Sequence, residues 1–64
     1  MTQGKLYYHQ HTYDIALHIH KISYMGPNYF KVKATIVNRH NGEIYQSGSY
    51  NIRRNQLHLW KEWV

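Results

Sequence analysis

The sequence predicts a mainly β protein: a small antiparallel β-meander of three to four strands with a short C-terminal α-helix packed on one face. Three observations carry that expectation. Residues 29–37 and 44–52 show much of the two-residue apolar alternation of half-buried strands. Asn41-Gly42 stands between them, a strong short-range hairpin signal. Residues 15–20 repeat the alternation, with Ile15, Leu17 and Ile19 interleaved with Ala16, His18 and His20. The alternative is an SH3-like or OB-like small barrel, reached if the last segment is a strand and the first curls round.

Alternation also sets the expected register. Phe30, Val32, Ala34 and Ile36 occupy even positions, and so do Ile44, Tyr50 and Ile52. Paired residues share a face, and a slip of one residue moves every side chain to the other side. A two-residue loop at Asn41-Gly42 would place one apolar set in water. A three-residue loop over 40–42 instead pairs Ile36 with Gln46, Ala34 with Gly48, Val32 with Tyr50 and Phe30 with Ile52. Gly42 then supplies the positive φ that such a bulged turn requires. Gln46 is a polar intruder on the apolar side.

The other elements follow in order. Residues 1–4 are a polar lead expected to fray. Residues 5–12 read as a strand with Leu6 and Tyr8 on one face and Tyr7, His9 and His11 on the other, ending at a turn or bulge near Tyr13-Asp14. Residues 15–24 form the next strand, and Gly26, Pro27 and Asn28 mark the turn after it. Its expected pairs are Leu17 with Ile36, Ile19 with Ala34 and Ser23 with Phe30. In the last segment, Leu57, Leu59, Trp60, Trp63 and Val64 share one helical arc, and Asn55 is placed to cap it. Trp60 or Trp63 is expected to fill the space over Ala34 and Gly48. The expected core is Ile15, Leu17, Ile19, Phe30, Val32, Ala34, Ile36, Ile44, Tyr50, Ile52, Leu57, Trp60 and Trp63.

At 64 residues the chain reads as one domain, 1–64, with a small core. It has no cysteine, so disulfides and thiolate metal sites are excluded. No run is long enough for a membrane-spanning helix and no signal-peptide pattern opens the chain, so the expected location is cytoplasmic. Eight lysines and arginines face three acids, giving a net charge of +5. Such a balance favours an anionic partner, nucleic acid first.

The chemistry expected of this small, basic, histidine-rich chain is binding, not catalysis. Its acids are too scattered for paired-carboxylate work, and no phosphate-cradling glycine loop or nucleophile motif occurs. No cofactor is expected. His9, His11, His18 and His20 would form a patch if a tight turn set His9 opposite His18, but solvated imidazoles explain them as well, so no metal is expected.

The sheet face away from the helix is the better candidate. It is expected to carry Lys31, Lys33 and Thr35, then Tyr45, Ser47, Asn51 and Arg53, and also His18, Ile22 and Tyr24. Tyr24, Tyr29 and Arg53 would lie in one row across three strands. Cations mixed with aromatic rings can follow phosphates and stack bases. The predicted nucleic-acid-binding residues are Lys31, Lys33, Arg53, Arg54, Tyr24, Tyr29 and Tyr45. The competing picture is the wet side of a half-buried sheet. A second function class is a stand-alone adaptor or inhibitor that binds another protein, or itself as a homo-oligomer, through strand edges or the Trp60/Trp63 helix.

Overall fold

A computed structural model of the chain describes residues 1–12 and 14–63. Five antiparallel strands make one sheet: β1 (Leu6–His9), β2 (Ile15–Met25), β3 (Tyr29–Asn38), β4 (Ile44–Arg53) and β5 (Trp60–Glu62). Their spatial order is β4-β3-β2-β1-β5. Among the described residues no helix is long and apolar enough to cross a membrane.

The β3–β4 pairing follows the alternation. Phe30 faces Ile52, Val32 faces Tyr50, Ala34 faces Gly48 and Ile36 faces Gln46. The connection differs from the expected three-residue loop. Asn38 N–H donates to the Glu43 carbonyl (2.7 Å), so Arg39 joins the loop. Val37 then faces Ile44, which leaves Tyr45 as an extra residue on β4. The bulge at Tyr45 restores the register that the longer loop would have shifted. Asn38 drives this geometry, because its Oδ1 accepts from His40 N–H (2.8 Å) and Asn41 N–H (3.1 Å). Gly42 has φ 75, the left-handed conformation that its position demands. The bulge also overturns one core assignment: Ile44 is 67% exposed.

The β2–β3 ladder contains two more irregularities. Leu17 faces Ile36 and Ile19 faces Ala34 as expected, but Lys21 then faces Lys33, Ile22 faces Val32, and Met25, not Ser23, faces Phe30. His20 and Ser23 are the extra residues. Between them the parity of β2 is inverted. Ile22, expected on the outer face, packs against the core, and Lys21 moves outward beside Lys33.

The C-terminal α-helix is not formed. Arg54–Leu59 is a 3-10 turn, preceded by extended Arg53 with no side-chain cap, so Asn55 is not an N-cap. β5 follows and pairs with β1, matching Tyr7 with Glu62, Tyr8 with Lys61 and His9 with Trp60. A lone helix this short gains too little to offset nucleation. The extended alternative satisfies the open backbone edge of β1, as when Trp63 N–H donates to the Leu6 carbonyl (2.8 Å). Alternation along β5 then separates the tryptophans. Trp60 packs against the core cluster, whereas Trp63 turns to the other face, 6.0 Å from the Arg39 guanidinium. Neither lies over Gly48, where the nearest atom to an added Cβ would be Tyr50 Oη at 3.8 Å.

The buried core is Tyr7, Leu17, Ile19, Phe30, Val32, Ala34 and Ile52, with Ile36, Tyr50, Leu57 and Trp60 packed around it. Tyr7 enters it because β1 pairs Tyr7 with Leu17. Ala16, buried on the opposite face beside Tyr8, lies in register with Val37. The N-terminal lead is tied down and does not hang free: Gly4 N–H donates to the Ile19 carbonyl (2.7 Å), and Ile22 N–H donates to Gln3 Oε1 (2.8 Å). The expected turn at Tyr13-Asp14 includes Tyr13, and the expected helical arc includes Val64; both residues lie outside those described.

Candidate nucleic-acid interface

β2, β3 and β4 contain no acidic residue. On their outer face the ladder sets out successive rows. Thr35 lies between His18 and Ser47, Lys33 lies between Lys21 and Ser49, and Lys31 lies between Tyr24 and Asn51. Tyr29 faces Arg53 in the last row. Lys21, Lys31, Lys33 and Arg53 are all exposed. The two lysines at 21 and 33 are direct cross-strand partners. Like charges placed so are destabilising unless something anionic joins them. Alternation alone puts Lys21 on the apolar side; the bulge at His20 moves it outward, and nothing in the sequence marks that bulge.

At the lower end of this face the aromatic rings are organised. Tyr24 and Tyr29 have ring centroids 5.3 Å apart at 49° and are 48% and 38% exposed. The Tyr24 ring lies over Gly26, close enough that a Cβ there would come within 2.5 Å of it. Gly26 in turn is held by Arg54, whose Nε donates to its carbonyl at 2.6 Å. Arg54 N–H donates to the Asn28 carbonyl (3.0 Å), and its guanidinium lies 4.6 Å from the centre of the Phe30 ring. One arginine therefore locks the β2–β3 turn against the end of β4. A cavity of about 720 Å³ opens at this corner, lined by Asn28, Tyr29, Asn51, Arg53, Arg54 and Asn55 together with Pro27.

Further up the face, His20 Nε2 lies 2.6 Å from Thr35 Oγ1, which lies 3.0 Å from Ser47 Oγ. This short hydroxyl chain offers neutral hydrogen-bonding groups beside the lysines. The top of the face is closed by protein: the Arg39 guanidinium stacks 4.0 Å over the Tyr8 ring.

The structure thus gathers Tyr24, Tyr29, Lys31, Lys33 and Arg53 on one face, with Arg54 at its corner. It does not bring Tyr45 to them. Tyr45 Oη accepts from Asn38 Nδ2 (2.7 Å) by the β3–β4 loop, and the residue borders a separate cleft with Asp14, Ile15 and Ile36. The histidine pairs also stay apart. β1 sets Leu6, not His9, opposite His18. His9 packs edge-on against Trp60 at 5.0 Å and its Nδ1 accepts from the backbone of His11 and Thr12 (both 3.1 Å). Among the described residues no group of three or more histidine, cysteine, aspartate or glutamate side chains could hold a metal. Comparison with protein-family models, curated proteins and solved structures finds no match to the chain.

Proposed function

We propose that this chain is a small basic module that binds nucleic acid along the outer face of β2–β4. The observation that carries the reading is the Lys21–Lys33 pair, with Lys31 next to it and no acid on any of the three strands. A polyanion laid across the face removes the repulsion between those lysines, and Tyr24 and Tyr29 supply ring faces for unstacked bases. Lys31, Lys33, Arg53 and Lys21 are the phosphate contacts. Arg54 holds the corner, and Tyr45 has no part. The five-stranded order, in which the first strand pairs with the last, supports the SH3-like small barrel over a meander covered by a helix. No catalytic step belongs to this reading, and its site of action is cytoplasmic.

The test is fluorescence anisotropy with labelled single-stranded oligonucleotides of several sequences. Lys33→Glu is expected to weaken binding to all of them alike, because phosphate contacts carry no sequence information. Affinity unchanged in that variant would refute the reading.

A second reading rests on β4, an edge strand with Ile44 largely exposed, which could pair with a second copy or another protein as an adaptor or inhibitor. The route through a Trp60/Trp63 helix is closed, since that helix is not formed. A mass in solution that stays monomeric across a wide concentration range would remove self-pairing.

A further inference from the structure

The corner cavity has properties that a generic phosphate-tracking face does not need. It is concave, and its size falls within the range of roughly 300–1,000 Å³ usual for small-ligand sites. Among the described residues two arginines line it and no carboxylate does. Of the acids, Asp14 lies 3.3 Å from His40 and Glu62 lies 3.5 Å from Lys5, both away from this corner, and Glu43 sits in the β3–β4 loop. Arg54 uses its Nε on Gly26 and stacks on Phe30, so its planar fork is held in place before any ligand arrives. Arg53 is exposed and stands across the ladder from Tyr29. Three asparagines, Asn28, Asn51 and Asn55, add amides that both donate and accept.

We infer that this cavity is a subsite for one nucleotide unit bearing a phosphate monoester. The phosphate sits between Arg53 and Arg54, the base lies on the Tyr29 ring, and the asparagine amides meet the base and sugar edges. A monoester carries more charge than the diester inside a strand and presents three acceptor oxygens, which suits two guanidinium groups. The inference rests on reading the adjoining face as a nucleic-acid surface, where the cavity would receive a phosphorylated strand end. A free nucleoside monophosphate has the same chemistry.

The experiment uses the whole chain, labelled with nitrogen-15 for amide NMR, and three kinds of probe. These are thymidine monophosphate, thymidine, and oligothymidylates of one length with a terminal phosphate or without one. The expected result is a saturable shift of the Asn28, Tyr29, Asn51 and Asn55 amides with thymidine monophosphate and none with thymidine. The terminal phosphate is expected to tighten oligonucleotide binding roughly tenfold. Arg53→Gln should abolish that ratio, whereas Lys33→Glu should weaken both oligonucleotides and preserve it. Preference for the phosphorylated strand over the free nucleotide assigns the site to strand ends, and the reverse assigns it to free nucleotides. Equal binding of the two oligonucleotides, with no shift at the cavity from thymidine monophosphate, would overturn the subsite while leaving the face reading intact. Failure of both oligonucleotides to bind, with the monophosphate shifts retained, would sink the face reading and keep the subsite.

Discussion

Tyr50 carries a hydroxyl that is buried and lacks a hydrogen-bond partner among the described side-chain atoms. An unsatisfied buried hydroxyl costs about 1–3 kcal/mol of desolvation, and its removal recovers that cost. Tyr50→Phe is therefore expected to leave stability unchanged or raise it by about 1 kcal/mol in urea unfolding; a loss of stability would show that the hydroxyl has a partner. Gly26 poses a different question. Its backbone is not left-handed, and the atoms nearest an added Cβ all belong to the Tyr24 ring. That ring is the far end of a half-exposed side chain and can swing away. Gly26→Ala should then cost less than about 1 kcal/mol of stability. It should nevertheless weaken oligonucleotide binding as much as Tyr24→Ala does, because both remove the same stacking surface, worth about 1–3 kcal/mol per base. Normal binding by Gly26→Ala would mean that Tyr24 does not stack on the ligand.

The β2–β3 ladder is the element where stability and binding pull apart. Lys21 and Lys33 repel one another across it. Lys21→Glu converts the pair into an attractive one, so stability is expected to rise by roughly 0.2–1 kcal/mol while affinity for oligonucleotides falls. Thermal unfolding and anisotropy on the same sample check both signs, and a variant that loses stability would place Lys21 away from Lys33. This pair was not legible in the sequence. Alternation read Leu17 and Ile19 correctly, but Ile15 lies outside the buried core, and the pattern ran straight through His20 and Ser23, whose bulges have no compositional mark. The β3–β4 register was legible because its apolar sets agree in parity and Gly42 bends the chain between them. The C-terminal segment failed for another reason. Its apolar residues fit a helical arc better than a two-residue alternation, and the deciding partner, the open edge of β1, lies some fifty residues away in sequence. Of the candidate site, Tyr24, Tyr29, Lys31, Lys33 and Arg53 were readable from parity. Tyr45 was not, because the bulge that displaces it compensates for a loop one residue longer than expected.

For the molecule as a whole, the charge is unevenly used. Asp14 and Glu62 pair near the top loop and beside β1, and Glu43 lies in a loop, which leaves β2–β4 with cations alone. An interface built on Lys21, Lys31, Lys33 and Arg53 releases counterions on binding, and each phosphate neutralised on a single strand contributes about −0.7 to the slope of log affinity against log salt. Four such contacts predict a slope of roughly −3. The comparison that matters is between variants at several salt concentrations. Lys33→Gln should lower affinity and also flatten the slope by about 0.7, since one counterion fewer is released. Tyr29→Ala should lower affinity with the slope unchanged, because a ring stacks without displacing ions. A flat salt dependence in the unaltered protein would mean that this face does not meet a polyanion, and the repelling lysines would then need another explanation.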